Sequence, residues 1–117
     1  MVGEVRIGMV GAGMVGQLAH LANFPQIPGC RVTALAELRP RLGALAAEKF
    51  GVPTVFDTHR DMLAADIIDA AVVVTRRPAT GPVVLDVLNA GKHVLSEKPM
   101  AHTTEQAERT RQYVSIA

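Results

Sequence analysis

The run VRIGMVGAGMVGQLAHL, Val5 to Leu21, decides how this chain is read. Gly11, Gly13 and Gly16 interrupt an otherwise apolar stretch at G-x-G-x-x-G spacing. Glycine weakens strand and helix alike, because its backbone loses more freedom on ordering than that of any other residue. So many in so short a segment need a compensating reason: a tight turn, or a ligand lying against the main chain.

The flanking patterns narrow the choice. Val5 to Val10 is an apolar run of strand length, and Met14 to Phe24 carries Val15, Leu18, Leu21 and Ala22 at helical spacing, ending before Pro25 and Pro28. Arg31 to Ala36 reads as a second strand. Pro40 suits the first turn of a helix that runs to Gly51, a residue fitted to the left-handed position past a helix end. Val52 to Phe56 reads as a third strand and Thr58 to Leu63 as a short Thr-capped helix. The most apolar run, IIDAAVVVT from Ile67 to Thr75, fits a central strand covered on both faces. Pro82 to Ala90 reads as a helix closed by Gly91, and His93 to Ser96 as a fifth strand. Thr103 and Gln106 have capping-box spacing and open a last helix. Strands alternating with helices imply an α/β, doubly wound parallel sheet with right-handed crossovers.

Composition agrees with one packed domain spanning residues 1–117. Aromatic residues make up only 3% of the chain, so Val, Leu, Ile, Ala and Met must fill the core. The formal net charge is +1, with Lys and Arg scattered, which leaves no basic stripe for nucleic acid. The single cysteine, Cys30, has no partner for an internal disulfide or a metal site and is expected to be a buried strand residue. No apolar run reaches the length of about 18 residues that a membrane span needs. Glu4 and the glycine spacing argue against a signal peptide, so a cytoplasmic protein is expected. His59, His93 and His102 are too dispersed to suggest a metal, and His20 has no evident partner that would make it a base.

A G-x-G-x-x-G string alone is weak evidence. Here GAGMVG follows a strand, opens a helix, and is followed 21 positions beyond Gly16 by an acid, Glu37, at the end of the next strand. Gly11 would permit the turn, Gly13 would let a pyrophosphate approach, and Gly16 would let the helix pack closely on the sheet. The amides of Met14 and Val15 would meet the phosphates at the positive end of the helix. Glu37 would accept hydrogen bonds from the adenosine ribose, each contributing roughly 1.5–3 kcal/mol. A 2′-phosphate would instead meet a like charge, with a repulsion of roughly 4 kcal/mol at about 4 Å. NAD is therefore expected over NADP. Arg39 and Arg41 read as a solvated helix start, although an arginine here could bind the extra phosphate of NADP.

A second constellation, NAGKHVLSEKPMAHTTEQAE from Asn89 to Glu108, puts Glu97, Lys98 and Pro99 where the fifth strand ends. Ligands of open parallel sheets bind beyond such ends, so Lys98 would face the nicotinamide half of a dinucleotide. Together GAGMVG, ALAELRP, VVVT and AGKHVLSEKP resemble the Gfo/Idh/MocA oxidoreductases, over essentially the whole chain. The resemblance implies a Rossmann-type domain that binds NAD, with NADP possible, in an enzyme that moves hydride to or from a sugar- or polyol-like alcohol or ketone. Gly11, Gly13, Met14, Val15 and Gly16 match the pyrophosphate site and Glu37 the ribose-binding acid. Thr75 matches the position bordering the nicotinamide ribose. Glu97 and Lys98 match the pair at that ribose and the substrate, with Lys98 as the catalytic cation beside the reacting oxygen.

The chain also departs from the family pattern. Where the family usually has proline and then histidine, the segment TRRPAT carries Arg76 and Thr80. Arg76 or Arg77 could meet an anionic substrate, although an exposed charged loop is the plainer reading. Family members run to more than twice this length. A sixth strand and a C-terminal substrate domain with the usual acid/base residues and oligomer contacts are expected to be absent here. The fifth strand would then be an open edge, and the isolated chain is expected to bind dinucleotide weakly and turn over negligibly. A non-catalytic dinucleotide-binding or sensing module is the alternative. EKP speaks against it, because a sensor needs no lysine at the hydride site.

Overall fold

The structure, a computed structural model, describes residues 3–97 and 103–112, without the side chain of Arg77. Five strands form one parallel sheet: β1 (Val5–Val10), β2 (Cys30–Ala36), β3 (Thr54–Phe56), β4 (Ala70–Val73) and β5 (His93–Ser96), in the order β3-β2-β1-β4-β5. The expected Rossmann-type sheet is present. Among the described residues β3 and β5 are its edges, and the order reverses between β1 and β4.

Alternation along the strands sends side chains to two cores. Ile7, Met9, Val32, Leu35 and Val72 join Leu21, Ala46 and Ala47 on one face, under the opening helix (Gly16–Leu21) and α1 (Pro40–Phe50). Val10, Ala34, Ala36, Ala71 and Val73 join Met62, Val83, Val84 and Val87 on the other, under α2 (His59–Ala64) and α3 (Arg77–Asn89). The register shifts by one residue between Ile7 and Gly8, leaving Thr33 as the extra residue of a bulge; its hydroxyl donates to the Ile67 carbonyl at 2.9 Å.

Local chemistry set several element ends. Gly51 closes α1 at φ +70°, Thr58 caps α2 by accepting from the Asp61 amide, and Thr103 caps α4 (Thr104–Arg111) by accepting from the Gln106 amide. Other ends differ from expectation. β3 and β4 are shorter than their apolar runs. The helix expected from Pro82 begins at Arg77, with Pro78 in its first turn and Pro82 inside it. Both prolines are compatible with a start, and the earlier one prevails.

The opening helix departs most. The Ala22 amide bonds the Gln17 carbonyl five residues back at 3.0 Å, so this is a π-helical turn. Its buried positions, Gly16 and Leu21, are also five apart, and Leu18, expected on the packed face, is 67% exposed. Cys30 is half-buried rather than buried, its thiol donating to the carbonyls of Phe24 and Ile27. Among the described residues no helix is long and apolar enough to cross a membrane.

Gly8, in the middle of β1, marks where α2 presses on the sheet. A Cβ there would lie 2.8 Å from Met62 Sδ and 2.9 Å from Ile68 Cγ2, both fully buried side chains. Gly8→Ala is expected to destabilise the fold by about 1–3 kcal/mol through overpacking, read as a lower urea midpoint. An unchanged midpoint would show that the α2 face gives way freely.

Candidate functional site

All five strands point the same way, so their carboxyl ends form one rim. Four residues just beyond those ends stay hydrogen-bonded to the neighbouring strand. The Gly11 amide donates to Ala36 O at 2.9 Å, Glu37 to Phe56 O at 3.0 Å, Val74 to Val10 O at 2.9 Å and Glu97 to Val73 O at 3.0 Å. The rim is thus rigid one residue past the sheet, where Gly11, Glu37 and Glu97 leave it.

The three motif glycines answer to different constraints. Gly11 has φ +101°, and a Cβ on it would sit 2.1 Å from the Val74 carbonyl oxygen. A Cβ on Gly16 would lie 2.9 Å from the Gly11 carbonyl oxygen, so the helix could not seat on the turn. Around Gly13 the situation is opposite: a Cβ would meet nothing within 4 Å, and its φ is not positive. The fold needs Gly11 and Gly16 but gives no reason for Gly13. Bare main chain beside open space is what a diphosphate requires for close approach, so the residues present fit the pyrophosphate of a dinucleotide. Helical conformation begins at Met14, whose side chain, like that of Val15, is exposed; first-turn amides have no acceptor within their helix.

Glu37 is buried and bonded on every side. Its Oε1 accepts from the Ala12 amide at 2.9 Å and from Arg39 Nη2 at 2.9 Å. Its Oε2 accepts from the Arg39 amide at 2.9 Å and Arg39 Nε at 3.1 Å. Burial pushes its pKa up, but the Arg39 side chain, then the Arg39 and Ala12 amides, outweigh burial and hold it at about 2. The acid expected to serve a ribose therefore also pins the glycine turn. Arg39, expected to be a solvated helix start, is its partner, an ion pair that neither helical spacing nor a motif signals.

The end of β5 shows a second pairing. His20 Nε2 lies 2.9 Å from Glu97 Oε1, while the His20 ring stacks on Phe24 with centroids 5.9 Å apart. His20 thus has the partner that sequence alone did not reveal, because 77 residues separate the two. The pair ties the opening helix to the end of β5. The catalytic candidate Lys98 lies outside the described residues, as do Pro99 and His102.

Thr75 follows β4, its Oγ1 3.0 Å from that of Thr80. Thr80 is buried and also donates toward the Thr75 and Arg76 carbonyls, so it closes the start of α3. Arg76 is exposed at that helix start. Among the described residues no group of three or more His, Cys, Asp or Glu side chains could hold a metal.

Residues 5–115 match the family model described as oxidoreductase family, NAD-binding Rossmann fold. An inositol 2-dehydrogenase of Rubrobacter xylanophilus is 34% identical over 107 residues, which are 91% of this chain and 30% of that protein. The scyllo-inositol dehydrogenase of Lactobacillus casei, solved with NAD(H) and scyllo-inositol, superposes with a TM-score of 0.88 at 33% identity, covering 94% of this chain and 32% of its own. The WlbA dehydrogenase of Bordetella pertussis, solved with NADH and UDP-GlcNAcA, gives 0.88 at 28% identity, covering 95% and 33%. The chain thus spans about a third of the length of these relatives. With its glycine turn, the acid after β2 and its sheet order in place, the chain belongs to the oxidoreductase family with an NAD-binding Rossmann fold.

Proposed function

We propose that this chain is the cofactor-binding part of an enzyme that transfers hydride between NAD and an alcohol or ketone of sugar or polyol type. The observation that carries the reading is Gly13, whose missing side chain serves no packing need of the protein. Relatives named as inositol dehydrogenases, and a neighbour solved with scyllo-inositol, support the polyol class. A cytoplasmic setting, a small-molecule substrate and an oligomeric whole enzyme go with the same reading.

Bound NAD would supply the hydride acceptor. The chain's residues would do the rest of the work on this side of the reaction. The amides of Met14 and Val15, with Gly11, Gly13 and Gly16, would hold the diphosphate, and Glu37 would accept from the adenosine ribose. Thr75 and Glu97 would border the second ribose. Lys98 would stand beside the substrate oxygen, where a cation lowers the cost of negative charge and favours loss of the hydroxyl proton. The E-K-P sequence speaks for catalysis over sensing, since binding alone does not call for that lysine.

Two measurements test the binding half. Gly13→Val is expected to leave stability within about 0.5 kcal/mol of wild type while weakening NADH binding more than roughly tenfold. Wild-type affinity in that variant would remove the pyrophosphate from this turn. The second uses Glu37, whose carboxyl ionises at about 2 in the fold against an ordinary value of 4.5. Its contribution to stability is complete above the ordinary value and is withdrawn as pH falls toward 2. The stability gap between wild type and Glu37→Gln should therefore narrow across that window. At neutral pH Glu37→Ala should be less stable than Glu37→Gln by about 1–3 kcal/mol, because only glutamine can still accept from the buried Ala12 amide. Equal stabilities would show that the Ala12 bond contributes nothing.

A further inference from the structure

A carboxylate offers about four acceptor positions on its two oxygens. In Glu37 all four are taken: by the amides of Ala12 and Arg39, and by Nη2 and Nε of the Arg39 guanidinium. The two backbone donors belong to the fold. The two side-chain donors do not, since the Arg39 side chain is 58% exposed while that of Glu37 is 5% exposed. The stem of Glu37 is packed too: a Cβ on buried Gly43 would lie 3.2 Å from Glu37 Cβ. Any ligand that reaches Glu37 must come from the side the guanidinium covers.

A ribose has two neighbouring hydroxyls, and they would bring two donors. Those match in number the two that Arg39 would give up. We propose that Arg39 occupies, in the free protein, the acceptor positions used by the adenosine ribose, and that its withdrawal sets how sharply NAD is distinguished from NADP. The inference rests on the cofactor reading given above. NAD must displace the guanidinium from its two bonds to Glu37. NADP brings a 2′-phosphate in place of one hydroxyl, and the released cation stands beside that anion and offsets its repulsion from Glu37. A lone carboxylate would reject the phosphate; this pair discriminates narrowly.

The test is titration of the 117-residue chain with NADH and NADPH, in wild type, R39Q and R39K. Wild type should hold the two within about tenfold of each other, and R39Q should bind NADH about fivefold tighter because the guanidinium no longer competes for the Glu37 carboxylate. The same variant should bind NADPH more than about tenfold weaker, having lost a charge-assisted contact. R39K keeps the charge without the fork, so it should retain most NADPH affinity. A second readout is the Arg39 Nε–H resonance, which should be protected from solvent exchange in the free protein and lose that protection at saturating NADH. Affinities of R39Q within about twofold of wild type for both dinucleotides, or weaker NADH binding, would overturn the inference and leave the cofactor reading intact. Protection of Nε–H that persists at saturation would do the same. Failure of all three proteins to bind either dinucleotide would remove the cofactor reading, and this inference with it.

Discussion

The hydrogen bond from the Ala12 amide to Glu37 Oε1 holds the site together. It joins the glycine turn after β1 to the residue after β2, and both groups are buried. An amide left unpaired in such a place costs more than the bond itself contributes, so the bond constrains both partners. The turn cannot lift from the sheet without exposing or orphaning that donor. Nor can the carboxylate swing out to solvent. Gly11 presses the same turn against the Val74 carbonyl from the other side, leaving it fixed between the exits of β2 and β4. A diphosphate meeting such a turn would find its donors already placed.

The parts of the fold governed by short-range chemistry were legible in the sequence. Gly51 closes α1 and Thr58 and Thr103 cap their helices because the signals act over three or four residues. The buried parallel strands were equally legible, since a strand covered on both faces reads as a continuous apolar run. What escaped was set by competition between equally good local choices. Pro78 and Pro82 could each open α3, and only packing of the whole helix on the sheet chooses between them. The π-helical turn escaped for a related reason. Apolar residues at 3.6-residue spacing named a face, yet the turn buries Gly16 and Leu21 at a spacing of five and leaves Leu18 in solvent.

At the site, backbone-determined features were readable and side-chain pairings were not. Glycine spacing and strand ends placed Gly11, Gly13, Gly16, Glu37 and Glu97 on one rim. The pairing of Arg39 with Glu37 is close in sequence, but no pattern separates a bonded arginine from a solvated one at a helix start. The His20–Glu97 contact crosses from the opening helix to β5 and depends on the full topology. Lys98 rests on motif resemblance alone. The three glycines, identical in the sequence, prove physically unequal once the Cβ positions are drawn: two are demanded by the chain itself, and one is not.

That inequality separates folding from function within a single motif. A residue required by packing would be retained in a domain that bound nothing, so Gly11 and Gly16 carry no information about a ligand. A Cβ on Gly13 would meet nothing, so packing does not ask for glycine there, and a ligand lying against the main chain would offset its entropy cost. The same reasoning applies to charge. Glu37 is explained in the free protein by its own bonds, and its acidity alone does not demonstrate a ribose site. The discriminating quantity is which of its bonds are replaceable. The two amide bonds are built into the main chain, whereas the guanidinium bonds come from an exposed side chain that can turn away. What this fold does not itself require is the bare main chain of Gly13 in the turn after β1 and the exposed side chain of Arg39 after β2, and a ligand that used both would take nothing from the packing.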